Sequence, residues 1–129
     1  IHSRDAAKDT LDIMKAEHAE DIGGVIHCFS YGVEMAREYL NMGYYIGIGG
    51  VLTFKNAKKA IEVIREVPIE RLMVETDSPY MAPEPFRGHR NSSLYIYRMA
   101  EKIAEIKGMP VEDVERITTE NGRRLFGIV

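Results

Sequence analysis

The sequence predicts an α/β fold organised as part of a (β/α)8 barrel. Short apolar segments alternate along the 129 residues with longer segments whose apolar side chains recur at helical spacing. Apolar strands separated by such helices indicate parallel βαβ units. Histidine and aspartate follow several strands at their C-terminal ends, where barrels place their active sites, and no glycine-rich nucleotide-binding motif is present. A barrel needs eight strands and about 250 residues, so we expect roughly half of one, as a single partial domain over residues 1–129.

The first half of the chain contains two predicted helices and two predicted strands. Apolar spacing predicts a helix over residues 5–19, and a compact apolar run predicts a strand over 25–29. Helical spacing returns over 33–42 and ends before Gly43, a residue type that commonly follows a helix. Residues 44–50 form a predicted strand whose glycines allow another segment or a ligand to come close.

The next segment adds one helix, one strand and a long loop. Asn56 is the predicted N-cap of a helix over 57–66. The apolar run at 72–74 predicts the third strand, and residues 78–92 form a loop rich in proline, glycine and arginine.

Two predicted helices complete the chain. Ser92 or Ser93 caps the first of them, which ends at Lys107 before Gly108. The second covers residues 111–126. A glycine inside it costs about 1 kcal/mol relative to alanine, so we expect a kink or fraying there.

The composition is that of an ordinary globular protein. Hydrophobic residues make up 45% and charged residues 29%, and the net charge of −3 gives no overall positive field that would indicate nucleic-acid binding. The single cysteine excludes an internal disulfide and predicts a cytoplasmic location, and no apolar run is long enough to span a membrane. The chain opens at Ile1 on what reads as the end of a strand, so we expect a fragment whose N-terminal half is missing.

Three residues at predicted strand ends form a candidate metal site. His2, His27 and Asp77 offer imidazole and carboxylate ligands suited to zinc, manganese or magnesium, and three protein ligands leave a position open for water. Bound water loses its proton near neutral pH, and Asp77 is the candidate acceptor of that proton. The alternative is that His27 is a core histidine bonded to the backbone and His2 is a frayed end. Spacing alone does not decide between them.

Residues around Asp77 are candidates for substrate binding. Glu75 lies on the same side of an extended strand as Asp77, where it either joins the site or pairs with a neighbouring strand. Arg87 and Arg90, in the long loop, carry planar guanidinium groups that donate paired hydrogen bonds to phosphate. The alternative for this loop is an ordinary solvated segment.

Several short motifs occur in a fixed order along the chain. They are Ile1-His2-Ser3-Arg4, Val25-Ile26-His27-Cys28-Phe29-Ser30, Gly47-Ile48-Gly49-Gly50-Val51-Leu52-Thr53-Phe54-Lys55-Asn56-Ala57, Glu75-Thr76-Asp77-Ser78-Pro79-Tyr80, Pro85-Phe86-Arg87-Gly88, Arg90-Asn91 and, one residue wider than usual, Asn121 to Gly127. Together they resemble the TatD family of metal-dependent deoxyribonucleases. The chain departs from the family pattern at Tyr31, where members usually have glycine, and at Ser92-Ser93, where they usually have Glu-Pro.

The resemblance implies the C-terminal half of an amidohydrolase-like TIM barrel, from the end of the fifth strand through the eighth strand and the terminal helices. It implies one or two divalent metal ions (Zn, Mn or Mg) in the complete site, with His2, His27 and Asp77 as ligands. The implied activity is cleavage of DNA phosphodiester bonds, with single strands as the expected substrate, by metal-activated water. The expected partner is the missing N-terminal half or a second copy of the chain.

Two other functions fit the same residues. The barrel loops could direct the same metal chemistry to another ester or to an amide, since one fold supports many substrates. A half-barrel could also be a non-catalytic module whose exposed sheet edges need a partner.

Overall fold

The computed structural model describes residues 1–129 and contains one parallel sheet flanked by helices. The strands are β1 (Val25–Ile26), β2 (Tyr45–Ile48) and β3 (Leu72–Val74), paired in the order β1-β2-β3. The α-helices are α1 (Ala7–Ala16), α2 (Val33–Asn41), α3 (Lys58–Glu66), α4 (Tyr97–Lys107) and α5 (Val111–Phe126). Short 3-10 turns cover Ala19–Asp21, Gly50–Thr53, Ile69–Arg71 and Ser93–Tyr95. Strand and helix alternate as far as β3, as the sequence predicts.

The first residues of the chain extend the sheet beyond β1. The terminal nitrogen of Ile1 donates to the carbonyl of Val25 at 2.8 Å, and the backbone N–H of His27 donates to the carbonyl of Ile1 at 2.9 Å. His2 and His27 form a parallel bridge. Both histidines therefore lie side by side at the C-terminal edge of the sheet, and His2 is held by strand pairing rather than frayed.

The core lies between the sheet and the helices around it. All four residues of β2 are buried, which explains its apolar composition. Ile46 and Leu72 of the sheet are fully buried in one cluster with Val63 of α3, Ile103 of α4 and Val114 of α5. Burial of each aliphatic side chain contributes about 1.5–3 kcal/mol, so this cluster holds the strand ends in place. None of the helices is long and apolar enough to cross a membrane.

Strands β1 and β2 are shorter than predicted. The strand predicted over 25–29 stops early because the backbone at Cys28 turns into the left-handed region, with φ of 47°. The strand predicted over 44–50 stops at Ile48 because a 3-10 turn begins at Gly50. Turn geometry of this kind leaves no periodic signal in the sequence.

The two predicted helix caps have different outcomes. The prediction for Asn56 is wrong, because α3 begins at Lys58 with Ala57 in the cap position and no side chain bonded there. The hydroxyl of Ser92 accepts the N–H of Leu94 at 3.3 Å and caps the 3-10 turn that leads into α4. The predicted serine cap therefore belongs to this turn, and α4 itself begins at Tyr97 with Ile96 in the cap position and no side chain bonded there.

Helix α5 is tied to the base of β3 by Asn121. Its Nδ2 donates to the carbonyls of Ile69 and Leu72, both at 2.8 Å, and its side chain is buried. The helix runs unbroken through Gly122, where the sequence predicts a kink or fraying. An added Cβ at Gly122 would come 3.7 Å from Met73, so the glycine faces a close neighbour in the sheet.

The loop after β3 is held against the sheet edge. Nδ2 of the buried Asn91 donates to the carbonyls of Thr76 and Tyr80, both at 2.6 Å. The loop also crosses Gly50 so closely that a Cβ there would lie 2.1 Å from the carbonyl oxygen of Met81. Glycine at this position therefore allows the loop to approach the end of β2.

Candidate metal centre

The three predicted metal ligands lie together at one edge of the sheet. The rings of His2 and His27 have centroids 5.7 Å apart, and Nε2 of His27 lies 3.4 Å from Oδ1 of Asp77. His2 and Asp77 also line a cavity of about 340 Å³. The fold thus brings together three side chains that are far apart in the sequence.

The spacing of His27 and Asp77 fits two ligands of one metal ion. A separation of 3.4 Å is long for an N–H···O hydrogen bond. Two ligand bonds of about 2.0–2.2 Å at a tetrahedral angle place their donor atoms about 3.3–3.6 Å apart. The two side chains are 35% and 36% exposed, so solvent reaches them. The imidazole of His27 and the carboxylate of Asp77, with the His2 ring beside them, are the ligand types that divalent cations bind.

Glu75 contacts His27 from the other side of the imidazole ring. Its Oε2 lies 2.8 Å from Nδ1 of His27, and its Oε1 accepts the backbone N–H of Cys28 at 2.6 Å. The side chain is 19% exposed and does not line the cavity. The structure therefore places this predicted substrate-binding residue against a candidate ligand that follows β1, on the far side of β2, rather than in a pair with the neighbouring strand.

The backbone turns sharply where these side chains converge. Strand β3 ends at Val74, so simple strand alternation does not explain how Glu75 and Asp77 both reach His27. Asp77 has φ of 54° and Cys28 has φ of 47°, in the left-handed region that residues other than glycine rarely adopt. Such a conformation costs about 1–3 kcal/mol and is concentrated at functional sites.

Cys28 packs beside the site and is poorly suited to act as a nucleophile. Burial raises the pKa of its thiol far above the ordinary value, and the Glu75 carboxylate raises it further. The thiol is therefore protonated at neutral pH. Donor atoms of His27, Cys28 and Glu75 do lie within 4.8 Å of one another. Because the Glu75 oxygens are already bonded to the other two residues, Asp77 is the better partner of His27 for a metal.

The arginines predicted to bind substrate lie in the loop away from the cavity wall. The guanidinium of Arg87 stacks over the ring of Phe54, 4.3 Å from its centroid, and Arg90 is exposed. Neither lines the cavity, whereas Arg4 does. Sequence reasoning assigned no role to Arg4, although its place two residues after His2 was the available signal.

Tyr31 joins the segments that follow the two histidines. Its hydroxyl lies 2.8 Å from Oγ of Ser3 and accepts the N–H of Ala6 at 3.3 Å. Oγ of Ser3 also lies 2.8 Å from Oγ1 of Thr10 in α1. Sequence reasoning noted Tyr31 only as a departure from a motif. The contacts show that its hydroxyl helps to fix the segment next to His2.

The family model described as TatD related DNase matches residues 1–127. The chain belongs to the TatD family. This TatD chain is 52% identical to the uncharacterized metal-dependent hydrolase YabD of Bacillus subtilis, a match that covers 99% of the chain and 50% of YabD. It is 46% identical to the uncharacterized metal-dependent hydrolase YcfH of Escherichia coli, covering 99% of the chain and 48% of YcfH. Both names specify metal dependence, in agreement with the donor set.

Solved structures of TatD proteins share the fold of this chain. The TatD homologue YJJV of Escherichia coli superposes with a TM-score of 0.91 at 29% identity, over 99% of this chain and 49% of YJJV. A TatD-family hydrolase of Entamoeba histolytica has a TM-score of 0.84 at 23% identity, over 96% of this chain and 48% of its own, which is a likeness of fold. The chain spans about half the length of the curated relatives it matches. The predicted fold class, one half of a TatD barrel, is confirmed.

Proposed function

We propose that the protein hydrolyses DNA phosphodiester bonds with the help of a divalent metal ion. The observation that carries the proposal is the convergence of His2, His27 and Asp77 at one edge of the sheet, where His2 and Asp77 line a cavity. There Nε2 of His27 and Oδ1 of Asp77 have the 3.4 Å separation typical of two ligands of one ion. The family description, TatD related DNase, and the relatives named metal-dependent hydrolases support it.

His2, His27 and Asp77 would hold the metal, which we propose to be zinc, manganese or magnesium, with one or two ions in a complete site. When bound, such an ion lowers the pKa of its water and stabilises negative charge on phosphate oxygens. The part played by this chain is to fix the donor atoms. Strand pairing fixes the two histidines, and the left-handed turn fixes Asp77.

Asp77 is the proposed acceptor of the proton of the attacking water. Its carboxylate lines the cavity and is 36% exposed, so water reaches it. The water oxygen forms a bond to phosphorus, the bond from phosphorus to the leaving sugar oxygen breaks, and the water proton passes to the carboxylate. The leaving oxygen takes up a proton from solvent, which reaches the site. In this proposal the Asp77 carboxylate, which lies just beyond the end of β3, both holds the water and accepts its proton.

Arginine side chains supply the positive charge that the protein as a whole lacks. Arg4 lines the cavity and is placed to neutralise charge that develops on the phosphate oxygens. Arg87 and Arg90 are exposed in the loop after β3 and are proposed to hold the DNA backbone farther from the reacting phosphate. Because the net charge is −3, attraction to DNA must come from such local groups.

Single-stranded DNA is the proposed form of the substrate. Tyr80, in the loop after β3, is 71% exposed and offers a face on which an unpaired base can stack. Phe86, by contrast, already stacks on Tyr95 with ring centroids 4.0 Å apart and serves packing of the loop.

The site is proposed to need a partner, either the other half of a barrel or a second copy of the chain. A (β/α)8 barrel closes with eight strands, whereas the sheet here has three strands and the bridge at His2. Open sheet edges carry unpaired backbone groups that favour association. The single free Cys28 agrees with the cytoplasmic location that belongs to this proposal.

Nuclease assays of the complete protein test the site. Asp77→Asn is expected to lower the turnover of a single-stranded oligonucleotide by about 10²–10⁴-fold, the range for loss of a general base. His27→Ala, which removes a proposed metal ligand, is expected to lower it as well. Asp9→Asn, at an exposed position, is the matched control for Asp77→Asn and should leave turnover unchanged. Near-normal rates in either site variant would overturn the proposed centre.

The substrate class is tested by comparing nucleotide release with hydrolysis of a p-nitrophenyl ester, with and without added metal. Metal-dependent DNA cleavage without ester turnover supports the proposal. Rapid ester hydrolysis with intact DNA would replace it with an ester hydrolase. The chain of 129 residues by itself is expected to bind metal weakly, because its three ligands lack neighbouring strands. Tight stoichiometric binding in calorimetry would contradict that expectation.

A further inference from the structure

We propose that Glu75 sets the tautomer of His27 and so aims the lone pair of Nε2 at Asp77. Neutral imidazole carries one proton, and only the nitrogen without it can bind a metal. The inference rests on the metal centre proposed above and assigns Glu75 as a positioning residue, in place of the predicted contact with substrate.

Both oxygens of Glu75 are committed to contacts that require acceptors. Oε1 accepts the backbone N–H of Cys28 at 2.6 Å, and Oε2 lies 2.8 Å from Nδ1 of His27. An ionised carboxylate has no proton to donate. The hydrogen in the second contact must therefore belong to Nδ1, which leaves Nε2 without one when the ring is neutral.

The opposite tautomer is disfavoured by the same distances. With the proton on Nε2, the lone pair of Nδ1 would face that of Oε2 across 2.8 Å, which is repulsive. The Nε2–H group would have only Asp77 Oδ1 at 3.4 Å, too far for a good hydrogen bond. The geometry thus favours one tautomer at both nitrogens of His27.

The position of the Glu75 carboxylate depends on the absence of a side chain at Gly47 in β2, the strand between β1 and β3. A Cβ at Gly47 would lie 2.7 Å from Oε2 of Glu75 and 3.0 Å from the carbonyl oxygen of Ile26. A side chain at Gly47 would therefore push the carboxylate away from His27. Carboxylates that orient metal-binding histidines in this way typically change metal affinity by about 10- to 100-fold when removed.

Replacing Glu75 by glutamine gives a sharp test, because an amide has one acceptor end and one donor end. The amide oxygen is expected to accept the N–H of Cys28, which has no other partner. The NH₂ group then faces Nδ1 of His27 and requires the lone pair there. In Glu75→Gln the ring proton is therefore expected to move to Nε2.

The tautomer is read in the metal-free complete protein from ¹⁵N shifts of the His27 ring, at a pH where the ring is neutral. Wild type should show a protonated Nδ1 and Glu75→Gln a protonated Nε2. Zinc affinity, measured by competition with a chelating dye, should fall about 10- to 100-fold in Glu75→Gln. Glu62→Gln, at an exposed position on α3, is the matched control and should change neither quantity.

A second variant, Gly47→Ala, leaves the carboxylate in the chain and displaces it. It should weaken zinc binding and bring the populations of the two His27 tautomers closer to equal. This test remains available if Glu75→Gln folds poorly. An unchanged tautomer in Glu75→Gln, or a changed tautomer with unchanged zinc affinity, would overturn the positioning role. Failure of the metal centre itself gives a different result. The wild-type protein would then still show the Nδ1–H tautomer of His27 but would not bind zinc through this residue.

Discussion

The carboxylate of Glu75 meets the imidazole of His27 across a strand that lies between their own. Glu75 follows β3 and His27 follows β1, yet Oε2 and Nδ1 are 2.8 Å apart. Strand β2 runs between them, and Gly47 of that strand has no side chain to block the contact. A site assembled from alternate strands therefore depends on glycine in the strand between them.

Arg4 is expected to contribute to turnover more than the loop arginines do. Its position on the cavity wall places a guanidinium near the developing charge, so Arg4→Gln should lower kcat/KM for an oligonucleotide by about 10²-fold. Arg90→Gln, outside the cavity, should mainly weaken DNA binding and reduce its salt dependence. Steady-state kinetics at several salt concentrations separate the two effects. Equal losses of kcat in both variants would contradict a special role for Arg4.

Tyr31→Phe is expected to loosen the segment that carries His2. Loss of the hydroxyl leaves the N–H of Ala6 and the hydroxyl of Ser3 short of a partner, at a cost of about 1–3 kcal/mol in the free energy of unfolding. Urea denaturation measures that cost, and calorimetry with zinc measures the expected fall in metal affinity. Tyr97→Phe, exposed on α4, is the control. A loss of stability with unchanged metal affinity would limit Tyr31 to a structural role.

The order of strands and helices could be predicted from the sequence because buried positions carry apolar residues at spacings typical of each element. Ile46 and Leu72 lie in short apolar runs, and Val63 and Val114 recur at helical spacing, because each faces the same core. The positions of His27 and Asp77 at strand ends followed from this order. Parallel strands bring their C-terminal ends to one edge of the sheet, so the predicted strand order also predicted that His27 and Asp77 lie near each other.

The parts that could not be predicted depend on contacts across strands and on turns. The partner of Glu75 is decided by packing over Gly47, which no local pattern records. The left-handed conformation of Asp77 is likewise invisible in composition. Asn56 carried a cap signal without becoming a cap, because α3 starts at Lys58 instead. Local propensity is weak where the surrounding structure decides the backbone.

Asn121→Ala is expected to weaken the attachment of α5 to the sheet. The amide donates two buried hydrogen bonds, to the carbonyls of Ile69 and Leu72, and alanine would leave both acceptors unsatisfied. We expect the free energy of unfolding to fall by about 2–4 kcal/mol, from the cost of each unmet buried group. Thermal and urea unfolding measure the change, with exposed Asn56→Ala as the control. If the free energy of unfolding falls no more in Asn121→Ala than in Asn56→Ala, then α5 is held by apolar packing alone.

Tyr39→Phe is expected to stabilise the protein at neutral pH. The hydroxyl of Tyr39 is fully buried and has no hydrogen-bond partner, so the folded state bears its desolvation without compensation. Removing it should raise the free energy of unfolding by about 1–3 kcal/mol, measured by urea denaturation at pH 7. Tyr80→Phe, at an exposed position, should have no effect. A less stable Tyr39→Phe protein would mean that the hydroxyl has a partner after all.

The same substitution is expected to change how stability depends on alkaline pH. Burial raises the pKa of Tyr39 above its ordinary value of 10.0, so the folded state keeps this proton to a higher pH than the unfolded state. Stability is therefore fully present below pH 10 and is lost as the pH rises through the raised pKa. Burial also raises the pKa of Tyr44, so part of the loss of stability at alkaline pH remains in Tyr39→Phe. Unfolding free energies measured from pH 8 upward should fall less steeply above about pH 10 in Tyr39→Phe than in wild type. Identical slopes would show that Tyr39 ionises as readily in the folded chain as in the unfolded one.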